Sequence, residues 1–175
     1  MRLLRGLHNI PAEFKGCAAT IGTFDGLHLG HQRIIHSLKA VSERHGVPTL
    51  VMLFEPQPKE FFAPDAAPAR LANLREKLQD LKQENVDYVL CLPFNQALRS
   101  MSADAFIKDI LISALGIKHL IVGDDFRFGC DRSGDYQLLR EYGDKYGFDV
   151  QDSPTHELDA ERISSTRIRS ELAAN

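Results

Sequence analysis

The sequence predicts an α/β fold: a Rossmann-like, doubly wound parallel sheet of about five strands with helices on both faces. Three observations predict it. Strand-like and helix-like stretches alternate from one end of the chain to the other. The strand-like stretches are near-continuous apolar runs, as expected where both faces of a parallel sheet are covered. The first of them runs into a glycine-rich turn that opens a helix, the place where a fold of this class binds its ligand.

Taken in order, "CAATIGT" (17–23) reads as a buried strand, followed by the turn "FDG" and a helix. Ile34, Ile35, Leu38 and Val41 share one face of that helix at 3.6 spacing, and His36 falls on the opposite face. Gly46 and Pro48 end it. "TLVMLF" (49–54) is the second strand, and "EPQPKEFFAPDAAPA" after it is too aromatic for a plain linker. "LANLREKLQDLKQEN" (71–85) is an amphipathic helix and "VDYVLCL" (86–92) the third strand. "SADAFIKDILISAL" (102–115) begins on a good N-cap, Ser102, and stops before Gly116. "KHLIVG" (118–123) is the fourth strand, "SGDYQLLREYGDKYG" (133–147) a helix, "FDVQDSP" (148–154) a short strand, and "SSTRIRSELAA" opens a last helix. No internal repeat or low-complexity tract interrupts the series.

The chain's 175 residues predict one domain, 1–175, large enough for a real core. Apolar residues make up 43% and charged residues 26%, ordinary for a globular protein. The net charge of −3 argues against a nucleic-acid partner. No apolar run is long enough to span a bilayer, and the N-terminus reads as mature protein rather than a signal peptide. Cys17, Cys91 and Cys130 are odd in number and form no CxxC, which supports neither a disulfide framework nor a zinc site. Cys17 and Cys91 read as small core residues. A cytoplasmic setting is expected.

Two segments carry chemistry. In "TIGTFDGLHLGHQRII" (20–35), His28 and His31 flank Gly30 at the first strand-to-helix junction. A helix N-terminus offers unpaired N–H groups and a positive dipole end, which attract phosphate. Gly22, Gly26 and Gly30 let the chain turn tightly and approach a ligand. Both imidazoles can address one phosphate group, where they tend toward the protonated, donating form. The spacing is neither GxGxxG nor a P-loop. Alone, HxxH also fits a metal pair, though no third ligand is suggested, or two incidental surface histidines. In "RISSTRIR" (162–169), Ser164, Ser165 and Thr166 are N-cap types whose hydroxyls can hold phosphate, and Arg162, Arg167 and Arg169 add positive charge. Arg169 is assigned to the site and Arg167 to solvent, because two residues apart they cannot share one helical face. An ordinary capped surface helix is the competing reading. His8, His36 and His45 are read as surface residues.

"HLGH" resembles the HxGH signature of the nucleotidyltransferase superfamily, and "ISSTRIR" resembles its second signature, ISSTxxR. With "GTFDGLHLGHQ", "FEPQPKEFF", "LREK" and "GDDFRFG", essentially the whole chain resembles the FMN adenylyltransferase module of bacterial bifunctional riboflavin kinase/FMN adenylyltransferases. The resemblance implies transfer of AMP from ATP, used with Mg2+, to FMN, giving FAD and pyrophosphate. It implies that His28, His31 and Arg169 act in catalysis. Gly22, Thr23, Phe24, Asp25, Gly30, Asp125, Arg162, Ser165 and Thr166 join those three in holding ATP. Relatives often carry Asn where this chain has Asp125. That residue either accepts a hydrogen bond from ribose or amine, helps bind magnesium, or shares its task with Asp124. "FEPQPKEFFAP" (54–64) is expected to be a proline-stiffened extended loop offering flat apolar surface to the flavin. The flavin set is Phe54, Pro56, Pro58, Phe62, Asp124, Phe126 and Phe128, with Phe54 also fitting a core plug. In relatives a riboflavin kinase domain is fused to the module; that domain is expected to be absent from this chain, and no kinase activity is expected of these residues. Three other readings compete: a superfamily member acting on phosphopantetheine or a polyol phosphate, a class I aminoacyl-tRNA synthetase fragment, and a non-catalytic flavin binder. The FxPxP and GDDFRFG segments disfavour the first, the lack of a KMSKS-like loop and of a basic surface the second, and the presence of both phosphate motifs the third.

Overall fold

The computed structural model describes residues 1–153, 157–158, 161–162 and 165–173, of which 157–158, 161–162, 165 and 167 are described by backbone alone. Six parallel strands form one sheet in the order β1-β4-β3-β2-β5-β6. They are β1 (Arg2–Arg5), β2 (Ala18–Ile21), β3 (Thr49–Glu55), β4 (Tyr88–Pro93), β5 (His119–Gly123) and β6 (Asp149–Ser153).

Alternation along the strands divides the core. Ala18, Val51, Leu53, Val89 and Ile121 face α1 (Leu29–His45) and α3 (Leu74–Gln83), where they meet Ile35, Leu38, Val41 and Leu81. Leu50, Met52, Leu90, Leu120 and Val122 point the other way, onto Ile107, Ile110, Leu111 and Leu139. Because both faces are covered, both parities are apolar, which is why the strands read as unbroken runs. After the single turn α4 (Gln96–Arg99), α5 (Ala103–Ala105), capped by Ser102 as expected, continues as π-helical turns over Phe106–Ala114. α6 (Tyr136–Tyr146) follows, its N-cap Asp135 accepting from Leu138 N.

The chain winds from β2 outward through β3 to β4, then crosses to β5 on the other side of β2. The switch in strand order therefore lies between β2 and β5, and a crevice for ligand opens at their carboxyl ends. "GTFDGLHLGH" leaves one of those ends and "GDDFRFG" the other.

The structure adds to and corrects the sequence reading in three places. A sixth strand, β1, pairs with β4 at the sheet edge. A two-stranded antiparallel pair, β7 (Glu157–Leu158) with β8 (Glu161–Arg162), precedes α7 (Ser165–Ala173). Residues 54–64 are not an extended loop: Pro58–Phe62 form a short helix, α2, because Pro at the first helical position needs no N–H partner and Gln57 with Glu60 makes a capping box. Cys17 and Cys91 are buried as expected, and burial pushes the Cys17 thiol up to about 12. No helix among the described residues is long and apolar enough to cross a membrane.

Candidate active site

The turn from β2 to α1 is built on backbone that ordinary residues avoid. Phe24 has a φ of 45°, and Gly26 a φ of 66°. A non-glycine residue held there costs on the order of 1–3 kcal/mol and persists only where its surroundings impose it. The gain is placement: Phe24 is buried, and its ring lies 4.7 Å from the His31 ring. His28 stands at the N-cap position of α1 and His31 in its first turn, with Gly30 buried between them. The two imidazoles stack at 3.8 Å, 21° from parallel. His31 Nδ1–H donates to Gly26 O at 3.0 Å, which leaves Nε2 for a ligand. His28 Nδ1 is buried and has no hydrogen-bond partner among the described residues. Burial, reinforced by His28, pushes His31 down to about 4; burial also lowers His28. Both rings are therefore neutral at pH 7 in the ligand-free protein, and the protonated form expected beside phosphate has to be raised by the phosphate itself.

Asp25 sits under this turn, fully buried. It accepts from Leu71 N and Ala72 N at 3.1 Å, pairs with the buried Lys77 at 3.7 Å, and accepts from Arg169 Nη2. Burial alone would raise its carboxyl; the two backbone donors, Lys77 and Arg169 together outweigh it and hold it below the ordinary range. Arg169 also donates through Nε to Ala69 O at 2.6 Å. Thus one carboxylate joins the two signature segments, from opposite ends of the chain. Thr166 is exposed on α7. The side chains of Arg162, Ser165 and Arg167, and Ser164 as a whole, lie outside the described residues.

Lys77, the last residue of "LREK", supports this turn, a role the sequence reading did not assign it. Its Nζ donates to Thr23 O at 3.0 Å, holding the turn from below. The signal was present: Leu74, Lys77, Leu78 and Leu81 follow helical spacing, so Lys77 falls inside the apolar stripe.

Beside the turn lies a largely apolar pocket of about 390 Å³. Its lining includes Gly22 and Thr23 from the turn, and five of the seven predicted flavin residues: Phe54, Pro58, Phe62, Phe126 and Phe128. Arg127 of "GDDFRFG" lines it too, as do Phe94, Arg99 and Arg132, which the sequence had not marked. Pro56 and Asp124 are exposed outside the lining. Phe61, Phe62 and Phe94 pack edge to face at 5.3–5.7 Å, and the Arg99 guanidinium lies 5.4 Å over the Phe62 ring. Phe54 packs on the core, as its place at the end of a strand suggested, and it also lines the pocket. α2 is anchored by Arg70, whose guanidinium bridges Glu55 and Glu60 at 2.5–2.6 Å. Asp125 is exposed at the end of β5, its Oδ1 folded over Gly123.

A profile of the FAD synthetase family matches residues 10–167. The chain belongs to the FAD synthetase family. The match spans β2, both histidines, the aromatic segment and the start of α7, and stops two residues short of Arg169. Among curated FAD synthetase relatives, the bifunctional riboflavin kinase/FMN adenylyltransferases of Pseudomonas fluorescens and Escherichia coli K12 are 54% and 49% identical over 99% of this chain. The Haemophilus influenzae protein of that description is 44% identical. The chain spans 56% of the length of each. A solved Streptococcus pneumoniae structure, described as a macrolide-efflux protein, shares the fold with a TM-score of 0.83 and 26% identity over 98% of this chain and 57% of its own. The family expected from the motifs is thereby borne out.

Proposed function

We propose that this FAD synthetase family member transfers AMP from ATP to FMN, forming FAD and releasing pyrophosphate. The observation that carries the reading is the Asp25–Arg169 contact, which puts the paired imidazoles and the last helix on one cleft beside an aromatic pocket. An FMN phosphate oxygen attacks the α-phosphorus of ATP, and the bond from that phosphorus to the bridging oxygen of the β-phosphate breaks. Catalysis of this kind is positioning plus neutralisation of charge.

Each part of the cleft suits one part of that task. Neutral His31 carries a lone pair on Nε2; an arriving triphosphate raises its proton affinity, and the imidazolium then donates to oxygens that gain charge in transfer. His28 supports it on the same face. The first-turn N–H groups and dipole of α1 add to the attraction. Arg162, Ser165, Thr166 and Arg169 hold the β- and γ-phosphates. Gly22, Thr23, Phe24, Asp25 and Gly30 shape the turn under the nucleotide. Phe54, Pro58, Phe62, Phe126 and Phe128 take the flat flavin ring, with Pro56 and Asp124 at its margin. Gly22 and Thr23 border both halves, which brings the flavin phosphate toward the histidines. Magnesium takes oxygen donors, and the exposed carboxylates of Asp124 and Asp125 at the end of β5 are of that type. Three free cysteines, one of them exposed, suit a reducing cytoplasm.

The deciding experiment incubates the chain with ATP, magnesium and FMN, phosphopantetheine or glycerol 3-phosphate and separates the products. FAD and pyrophosphate from FMN alone are expected. Transfer to another acceptor, or none to FMN, overturns the reading.

A further inference from the structure

Among the described residues, one group of His, Cys, Asp or Glu side chains converges closely enough to share an ion, and it lies away from the cleft: His45, His119 and Asp149. We propose that these three residues form a binding site for a divalent transition-metal ion of the zinc class, at the amino-terminal end of the sheet.

The fold brings them together. His119 and Asp149 are the first residues of β5 and β6 and are register partners, so their side chains leave the same face of the sheet. His45 is the last residue of α1, which packs over β5, and it arrives beside them. The catalytic cleft lies at the other ends of the same strands, roughly 13 Å along β5 by strand rise.

Their geometry is that of a coordination set rather than of a hydrogen-bond network. His45 Nε2 and His119 Nδ1 lie 3.7 and 3.9 Å from Asp149 Oδ2, too long for hydrogen bonds. All three donor atoms fall within 4.8 Å of one another. Ligands at zinc distances on a tetrahedron are separated by roughly 3.3 Å, so closure asks for shifts of about 0.4–0.6 Å in the two histidine–carboxylate distances and up to about 1.5 Å between the imidazoles. His45 and Asp149 are exposed and can make them.

A second observation points to a ligand. His119 is only 9% exposed, and its Nδ1 is buried without a hydrogen-bond partner among the described residues. Its other nitrogen, Nε2, donates to Gln151 Oε1 at 3.2 Å. That bond places the lone pair on Nδ1, facing Asp149 and His45. An imidazole oriented by an acceptor behind it is the arrangement metal-bound histidines adopt. Burial keeps the ring neutral, as a ligand must be. The carboxyl-terminal dipole end of α1 favours a cation there, and Arg44, the nearby positive charge, is turned back toward Ala40 O. Two imidazoles and a carboxylate select zinc, copper(II), nickel or cobalt over magnesium, and leave a position for water.

The test is titration with Co2+, read by visible absorption, and with Zn2+ by calorimetry, on the full chain carrying His28→Ala and His31→Ala so that the cleft imidazoles do not contribute. One equivalent with tetrahedral Co2+ bands is expected. Gln151→Ala should weaken it by roughly 10–100-fold, and His45→Ala or Asp149→Asn by more. Because both of these residues are exposed, their variants keep the test open if the buried His119→Gln fails to fold. Absence of saturable binding, or binding that survives either His45→Ala or Asp149→Asn, overturns the proposal.

Discussion

The two walls of the cleft are made by opposite means. On one side, His28 and His31 rest on a buried turn that carries a positive-φ phenylalanine and is held by polar groups: an Asp25 carboxylate with donors on several sides and a lysine reaching up to Thr23 O. On the other, Phe62 is 59% exposed and is held by ring edges and one guanidinium. Buried charge tolerates no missing partner, whereas an exposed ring loses only its own contact area. The histidine wall should therefore fail as a unit and the aromatic wall by increments. Between them, residues 69–72 serve both: Arg70 holds α2, while the backbone on either side of it holds Asp25 and Arg169.

The sharpest way to break the contrast is Asp25→Ala. It leaves Lys77 buried without its carboxylate and removes the acceptor of Leu71, Ala72 and Arg169, so a loss of about 3–5 kcal/mol is expected in chemical denaturation. A loss under 1 kcal/mol would mean that the wall is not one unit. His31→Ala should come next, lowering turnover by about 10²–10³-fold while FMN binding, read by fluorescence quenching, stays unchanged. Equal loss of both would make His31 a packing residue. Third is pH. His31 titrates near 4 when folded and near 6.5 when unfolded, so between those values the unfolded chain binds more protons. Its stabilising contribution is intact above pH 6.5 and is lost as pH falls toward 4, by at most about 3–4 kcal/mol. The difference between wild-type and His31→Ala denaturation curves at pH 5 and 7.5 isolates it; parallel curves would refute it. Smallest is Phe62→Ala. A few-fold rise in the KM for FMN is expected, about 0.5–1.5 kcal/mol, with melting temperature unchanged. A cooperative collapse there would erase the distinction between the walls.

Much of this was legible without coordinates, for identifiable reasons. Central strands announce themselves because both of their faces are buried. β1 did not, because it is an edge strand of four residues with exposed arginines at its ends. Prolines at 56, 58 and 64 argued for an extended segment, yet Pro58 opens a helix once Gln57 and Glu60 cap it. The histidines stood out by their place between a strand and a helix. Lys77 did not, since a lysine on an amphipathic helix ordinarily reads as solvated, and only its phase within the apolar stripe betrays it. Asp25 was rightly put in the turn, but its inward direction depends on residues 71–72 and 169, whose nearness no local pattern encodes. Phe94, Arg99 and Arg132 escaped notice because pocket walls gather side chains from unrelated loops.

The position of β2 at the middle of the sheet also has a temporal side. One neighbour, β3, follows within a few dozen residues, but the other, β5, is made almost a hundred residues later. At ordinary ribosomal speed that delay is roughly 5–20 s. Throughout it the short apolar segment AATI presents an uncovered flank, the kind of surface on which two nascent chains can pair. Substitutions that weaken β5 should thus lower the yield of folded protein during translation before they lower the melting temperature of what survives.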